Sequence, residues 1–216
     1  QSEPAPQEDL AKIPLLARED IDKKAQPFQN ELRKAGDTDV LYHDLFTNGI
    51  GYVDLVFRAG GIPVELIPYL GLLKAALGDF ANELNLHTGG ISCSVGSYDS
   101  VQNPRDYTAV FEVKSKALYE EEPVAFAMLR EMLMTSKLHD KKRLKEIVAE
   151  TKSRQQMAFQ TSGHSMAALR AMSYFSSSAA FSDMTGGVDF YHFIEDLDTN
   201  FEEKWETAAE KLAELA

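Results

Sequence analysis

Residues 51–78 read GYVDLVFRAGGIPVELIPYLGLLKAALG, and the change of period inside this stretch decides the fold. In its first half Val53, Leu55 and Phe57 fall on one face and Tyr52, Asp54 and Val56 on the other, the alternation of a strand covered mainly on one side. Gly60 and Gly61 end that strand. From Pro63, a favourable first helical residue, Leu66, Ile67, Leu70, Leu73 and Leu77 recur at spacings of three and four, with Tyr69 and Leu72 widening the stripe. The second half is therefore expected to be a largely buried helix, with Pro68 near enough to its start to kink the first turns without ending it.

Upstream, GDTDV (36–40) marks a turn, VLYHDLF suits a short strand, and TNGIG carries the Asn-Gly signal expected between paired strands. A hairpin running into the 51–58 strand is the economical reading. Residues 1–36 hold Pro4, Pro6, Pro14 and Pro27 among acidic and amide side chains and read as a linker. Downstream, DFANELNLHT continues the helix until Gly89 and Gly90 break it. ISCSVGS sets Ile91, Cys93 and Val95 against serines. YTAVFEVKSKAL sets Tyr107, Ala109, Phe111 and Val113 against Thr108, Glu112 and Lys114, so two more amphipathic strands follow, joined through DSVQNPRD.

Beyond Tyr119 the pattern is helical almost throughout. One helix is expected to present Val124, Met128, Leu129 and Met132 on a stripe, and the next Leu144, Ile147, Val148 and Met157. SGHS, SSSAA and TGG are expected to divide the rest into shorter helices. Strands, helix, strands, then helices predict an α+β two-layer sandwich over residues 37–216, an antiparallel sheet packed on helices, with one real core.

The 216 residues are 44% hydrophobic and 26% charged, which excludes wholesale disorder. The longest apolar run, Leu66 to Leu77, is interrupted by Pro68 and Lys74 and is shorter than the roughly 20 residues of a membrane span. A net charge of −12 repels polyphosphate, so nucleic acid is not an expected partner and a cationic ligand is easier to accommodate. The single cysteine, Cys93, fits a reducing, intracellular compartment. The opening QSEPAPQEDLAK has no signal-peptide character, and WETAAEKLAELA is still helix-forming where the sequence stops. Both ends read as cuts in a longer polypeptide.

Catalytic candidates are few. His43, His87, His139, His164 and His192 lie far apart, and no pair has the i, i+4 spacing that puts two imidazoles on one helical face for zinc. His87 and His164 are expected in capping or backbone hydrogen-bonding roles. Cys93 reads as a small buried hydrophobe rather than a nucleophile. The glycine turns at Thr88–Gly90 and Thr185–Gly187 lack the lysine and spacing of a phosphate loop. The basic run Lys141–Lys145 can attract an anion, but with Glu146 and Glu150 following it reads as a solvated face. Met128, Met132 and Met134 at helical spacing read as core, with an adaptable binding surface as the rival. Glu195, Asp196, Asp198, Glu202, Glu203 and Glu206 can steer basic peptides or simply solvate a helix surface.

The order YVDLVFRAGGIPVELIPYLGLL, ELNLHTGGIS, RLKEIVAETKSRQQMAFQTSGHSMAALRAMSYFS and GGVDFYHFIEDLDTNFEEK resembles the third domain of presequence-protease-like enzymes, the large single-chain branch of the pitrilysin, or insulinase-like, zinc metallopeptidases. The opening EDLAKIPLLAREDID also resembles that family's lead-in to domain three, so the resemblance spans essentially the whole chain. It implies a four-domain peptidase of similar α/β domains, folded as two halves that close around a peptide chamber. Catalysis belongs to the first domain, through an inverted zinc motif H-x-x-E-H and a later glutamate ligand. Laid over this chain, the motif falls on Tyr69 for the first histidine, Leu72 for the glutamate and Leu73 for the second histidine. These degenerate positions offer neither ligand nor base. Between Leu77 and Asp79 the family's connection is longer, so either a loop is shortened here or residues are missing.

The resemblance thus implies a noncatalytic structural domain of a zinc-dependent endopeptidase that degrades short unfolded peptides, forming part of the chamber wall. Its partners would be the other domains of the parent and the enclosed peptide. No metal or other cofactor is expected in this fragment, and zinc is expected in the parent. The location implied is intracellular, a bacterial cytoplasm or an organelle matrix. A standalone binding or scaffold subunit is the rival reading, and an independent hydrolase using His43, His87 or His164 is the third.

Overall fold

The computed structural model describes residues 20, 29–84, 89–103, 106–136 and 138–216. Most of the expected linker, His87 and Thr88 lie outside the described residues. The chain divides into two units, residues 1–47 and residues 48–216. In the first, β1 (Asn30–Ala35) pairs antiparallel with β2 (Thr38–His43), Ala35 opposite Thr38. Gly36, at φ +62°, supplies the left-handed residue that this tight connection needs. The end of the stretch expected to be linker is therefore a strand. Its hairpin is exposed, with Arg33 lying 3.7 Å from the centre of the Tyr42 ring and Lys34 paired to Asp39 at 2.6 Å.

In the second unit β3 (Ile50–Arg58), β4 (Ile91–Asp99) and β5 (Tyr107–Leu118) form an antiparallel sheet in the order β3-β5-β4. Asn48 and Gly49 do take the left-handed conformation, at φ 52° and 81°. They nevertheless do not join paired strands: β2 pairs back with β1, and β3 pairs with β5, Leu55 opposite Val113 and Phe57 opposite Phe111. The turn signal fixed the local backbone, while the partner of β3 was decided by burial on β5, where Ala109, Phe111 and Val113 enter the core.

The chain then makes one short 3-10 turn (Val64–Leu66) and enters α1 (Ile67–Leu84), which begins four residues later than Pro63 and holds Pro68 in its first turn. There the missing N–H has no intrahelical partner to lose. Leu70, Leu72, Leu73, Ala76, Leu77 and Ala81 are all buried. The helix packs on β4, and among the helices that contact it are α3 (Lys141–Met172), α4 (Ser177–Gly186), α5 (Val188–Thr199) and α6 (Phe201–Leu215). α1 passes through Leu77, Gly78 and Asp79 without interruption, so the junction is helix rather than a loop.

α2 (Glu122–Thr135) buries Ala125, Leu129 and Met132. Val124, expected on that stripe, is 40% exposed, since the buried face is rotated by one position. α3 starts on Asp140, whose carboxylate accepts the Arg143 N–H at 3.0 Å. It buries Leu144, Ile147 and Val148 but leaves Met157 exposed. SGHS does not end this helix: only Ser162 leaves helical geometry, at φ −136° and ψ 30°, giving a kink inside one element. The breaks at SSSAA and TGG do occur, with the Ser176 hydroxyl capping α4. The architecture is the expected α+β arrangement, an antiparallel sheet packed on helices around one core.

Three helices are tied together by a single guanidinium. Arg170, in the last turn of α3, contacts Asp183 of α4 at 2.6 Å and Asp189 of α5 at 2.7 Å. Asp183 is fully buried, and its second oxygen accepts the Val188 N–H at 2.8 Å, satisfying the head of α5.

Candidate functional site

The motif helix of the resemblance is α1, and its three key positions lie within the packing. Leu72 and Leu73 are 0% and 3% exposed. Tyr69 is half-buried, its ring edge-on to Phe193 with centroids 4.8 Å apart, while the Lys211 ammonium sits 5.1 Å from the ring centre. Burial raises the Tyr69 phenol above its ordinary value, so it stays protonated at neutral pH. Between them Gly71 lets α4 and α5 approach: a Cβ there would stand 2.5 Å from the Thr185 carbonyl oxygen and 2.6 Å from the Phe190 ring. Hydrocarbon and a neutral phenol supply no metal ligand set and no general base at these positions.

The histidines are not brought together. His43, His139, His164 and His192 are exposed, and His87 lies outside the described residues. Among the described residues no cluster of three or more His, Cys, Asp or Glu side chains is placed to hold a metal ion. Cys93 is half-buried, and burial pushes its thiol up to about 11, as expected of a small hydrophobe. The methionine set divides, with Met132 buried, Met128 half-buried and Met134 76% exposed.

The charged runs satisfy one another. Lys141 and Lys145 reach across from α3 to Glu202 of α6 at 2.7 and 3.1 Å, with Lys141 near Trp205 and Lys145 near Phe201. Arg143 pairs with Asp79 of α1 at 2.5 Å. Lys152 pairs with Asp198 at 2.8 Å, and Lys204 with Asp196. The basic run is thus more than a solvated face: it fastens α3 to α1 and α6. Much of the acidic segment's charge is compensated within the chain, leaving less of it to steer a peptide.

Two other places carry polar chemistry. The first is the sheet face that bears Tyr52, Asp54, Tyr98, Glu112 and Lys114, opposite the one packed on the helices. The Tyr98 and Ser94 hydroxyls donate to Glu112, the latter at 3.1 Å. Lys114 stands 3.2 Å from Glu112 and 3.6 Å from Asp54. The Tyr98 hydroxyl, followed by Lys114 and Ser94, holds the Glu112 carboxyl below the usual carboxylate range. Tyr52 and Tyr98 remain 64% and 58% exposed, so this face combines aromatic rings with an ordered charge cluster.

The second is a cleft of about 290 Å³ between α1, β4, α3 and α5, lined by Lys74, Ser92, Cys93, Arg154, Gln155 and Phe190 among others. Sequence reading passed over Lys74 as a mere interruption of an apolar run. The signal was there: one lysine in a helix otherwise destined for the core.

Comparison with known proteins places the chain in a family. Residues 1–197 match the family described as associated with the M16 peptidases of subfamily C. The chain is 31% identical over 225 aligned residues to Protein HypA of Clostridium perfringens, covering all of the chain and 23% of that protein. It is 27% identical to presequence protease 1, chloroplastic/mitochondrial, of Arabidopsis thaliana, again over the whole chain and 21% of the relative. Against the mitochondrial presequence protease of Yarrowia lipolytica it is 28% identical over 79% of the chain and 18% of the relative. The chain therefore spans about a fifth of the length of the curated relatives it matches. Matched along nearly its entire length, this chain belongs to the family associated with the subfamily C peptidases of M16.

Proposed function

We propose that this chain is a noncatalytic structural domain of a larger zinc-dependent endopeptidase, and that its exposed sheet face forms part of the wall of a chamber enclosing short, unfolded peptides. The observation that carries the reading is the packing of α1. The helix aligned with a zinc motif instead places Leu72 and Leu73 in the core, so cleavage chemistry would reside elsewhere in the parent protein. Tyr52, Tyr98, Glu112 and Lys114 then offer what a passing peptide needs: rings to lie on, and acceptors and donors already held in place. The other domains of the parent are its constant partners. An organelle matrix or bacterial cytoplasm is the location proposed; no helix among the described residues is long and apolar enough to cross a membrane.

The test is steady-state hydrolysis of an unfolded peptide by the intact parent protein, with Tyr98→Ala and Lys114→Ala introduced on the sheet face. The expected result is a raised KM with kcat little changed, together with loss of activity on chelation and recovery with zinc. Cleavage by the isolated 216-residue chain, sensitive to chelator and accompanied by stoichiometric zinc, would overturn the proposal and restore an independent hydrolase.

A further inference from the structure

We infer that the free edge of β4 binds an unfolded peptide as an added strand, through main-chain hydrogen bonds to Cys93, Val95 and Ser97. The site rests on β4 alone; only the source of the peptide, a chain enclosed for hydrolysis, rests on the proposed function.

β4 lies at one side of the sheet, with β5 as its single strand neighbour among the described residues. The Lys116 N–H donates to the Gly90 carbonyl at 3.4 Å and the Ser100 N–H to the Asp106 carbonyl at 2.8 Å, which sets the alternation of the ladder. Even-numbered residues of β4 therefore bond to β5, and Cys93, Val95 and Ser97 turn their N–H and C=O groups the other way. Among the described residues nothing bonds to those groups. Donors and acceptors left open at two-residue intervals are the template that an extended chain completes.

The usual guards of an exposed edge are missing. β4 has no proline and no charged side chain before Asp99, and its register with β5 runs from Ile91 opposite Ser115 to Asp99 opposite Tyr107 without a bulge. β3, the other edge, carries Asp54 and Arg58. The helices also stop short of β4: Cys93 and Val95 are half-buried, whereas their neighbours Val113 and Phe111 on β5 are 0% and 6% exposed. Beside Cys93 the cleft on α1 and α3 opens, leaving room for the side chains that an added strand would point toward the helices.

The side chains of the edge select the kind of strand. Ser92, Ser94 and Gly96 on one face and Ser97 on the other offer little for the cross-strand packing that holds a permanent sheet together. What they leave is pairing through the main chain, which is indifferent to sequence. That suits a passing unfolded peptide better than a folded partner or a second copy, whose association draws on matched side chains.

The experiment is amide hydrogen exchange in the intact parent protein, read residue by residue by mass spectrometry. The probe, in large excess, is a short capped peptide of alternating threonine and valine, with a lysine at each end to suit the chain's net charge of −12. At about nine-tenths occupancy, exchange at Cys93, Val95 and Ser97 is expected to slow about tenfold, with much smaller changes at Ser92, Ser94 and Gly96, which β5 already holds. A polyproline of the same length and charge has no N–H to donate and is expected to protect none of them. Ser97→Pro removes an N–H that β5 does not use, so it should weaken binding of the threonine–valine peptide about fivefold or more while the even-numbered amides stay protected. Unchanged exchange at the three amides, equal slowing of both sets, or equal protection by polyproline would each overturn the inference. So would slow exchange at the three amides in the peptide-free parent, because the edge would then be filled by the parent's own chain. Protection at β4 with Tyr98→Ala leaving KM unchanged supports the edge and counts against the chamber wall, whereas a raised KM without protection does the reverse.

Discussion

Replacing Arg170 by methionine is expected to lower the stability of the fold by about 3–5 kcal/mol, because it strands a carboxylate that has no access to water. Asp183 is 0% exposed, and after the substitution its remaining partner from the pair of bonds described is the Val188 N–H at 2.8 Å. The lost contact to Asp189 adds little, since that side chain is 45% exposed and water replaces the guanidinium. Methionine keeps much of the apolar stem, so packing loss is minimised and the electrostatic term is isolated. With a urea slope of about 2 kcal/mol/M, the unfolding midpoint followed by far-UV circular dichroism should fall by roughly 1.5–2.5 M. The double variant Arg170→Met/Asp183→Asn is the decisive control. A neutral amide retains an oxygen for Val188 and removes the buried charge, so the double variant should regain about 1 kcal/mol or more relative to Arg170→Met alone. A loss below about 1 kcal/mol for Arg170→Met, or a double variant that equals the sum of both singles, would refute the reasoning.

Gly71→Ala should lower the thermal midpoint through about 1–3 kcal/mol of overpacking against the Thr185 carbonyl and the Phe190 ring. Gly78→Ala, on the same helix with open space around it, should instead stabilise the fold by up to about 1 kcal/mol and raise the midpoint, so equal effects at the two sites would contradict the packing described. Glu112 has a lowered folded-state pKa, so its stabilising contribution is complete above the ordinary carboxylate value of about 4.3 and is lost as pH falls through the lower folded value. Urea midpoints measured on acidification should therefore fall less steeply below that pH for Glu112→Gln than for the unaltered chain; parallel curves would count against it. Cys93, with its thiol pushed up to about 11, should react with iodoacetamide at pH 8 at least tenfold more slowly than in urea, and comparable rates would show an accessible thiolate.

What could be read in the sequence was what period and local chemistry control. The alternation in residues 51–58 and 107–118 and the three-four spacing of leucines in α1 each record burial directly. Strand partnership was less legible, because Asn48 and Gly49 adopt the conformation of a hairpin turn whether or not their flanking strands pair. The continuity of α3 was hidden for a related reason. A helix interior glycine at 163 is disfavoured by about 1 kcal/mol, which suggests a break in isolation but is tolerated within a 32-residue helix. Val124 and Met157 show the limit of reading core from apolar side chains, since much of a folded protein's surface is apolar too. Neither the open edge of β4 nor the Glu112 cluster had a sequence signal, because both depend on which strands and helices meet.

The degeneracy of the motif and the position of the cleft follow from the same helix. A hydrolytic site needs one face of its helix open to water and metal, and a buried carboxylate or imidazole at 72 or 73 would have to be paired or lose its charge. Leucine at both positions allows the sheet and the surrounding helices to close on that face, each side chain contributing roughly 1.5–3 kcal/mol of burial. The helix is not closed all round, however. Gly71, Lys74, Ala75 and Gly78 recur at the spacing of a single helical stripe, and all four line the cleft. Ala75 and Gly78 have too little side chain to fill the gap between α1 and α3, while Gly71 lets α4 and α5 close on the helix, so the opening is written into the sequence as an absence of bulk at 75 and 78. The one lysine of α1 thus sits on the stripe that lines the cleft, displaced around the helix from the buried Leu72 and Leu73, where the resemblance would have placed a base and a metal ligand.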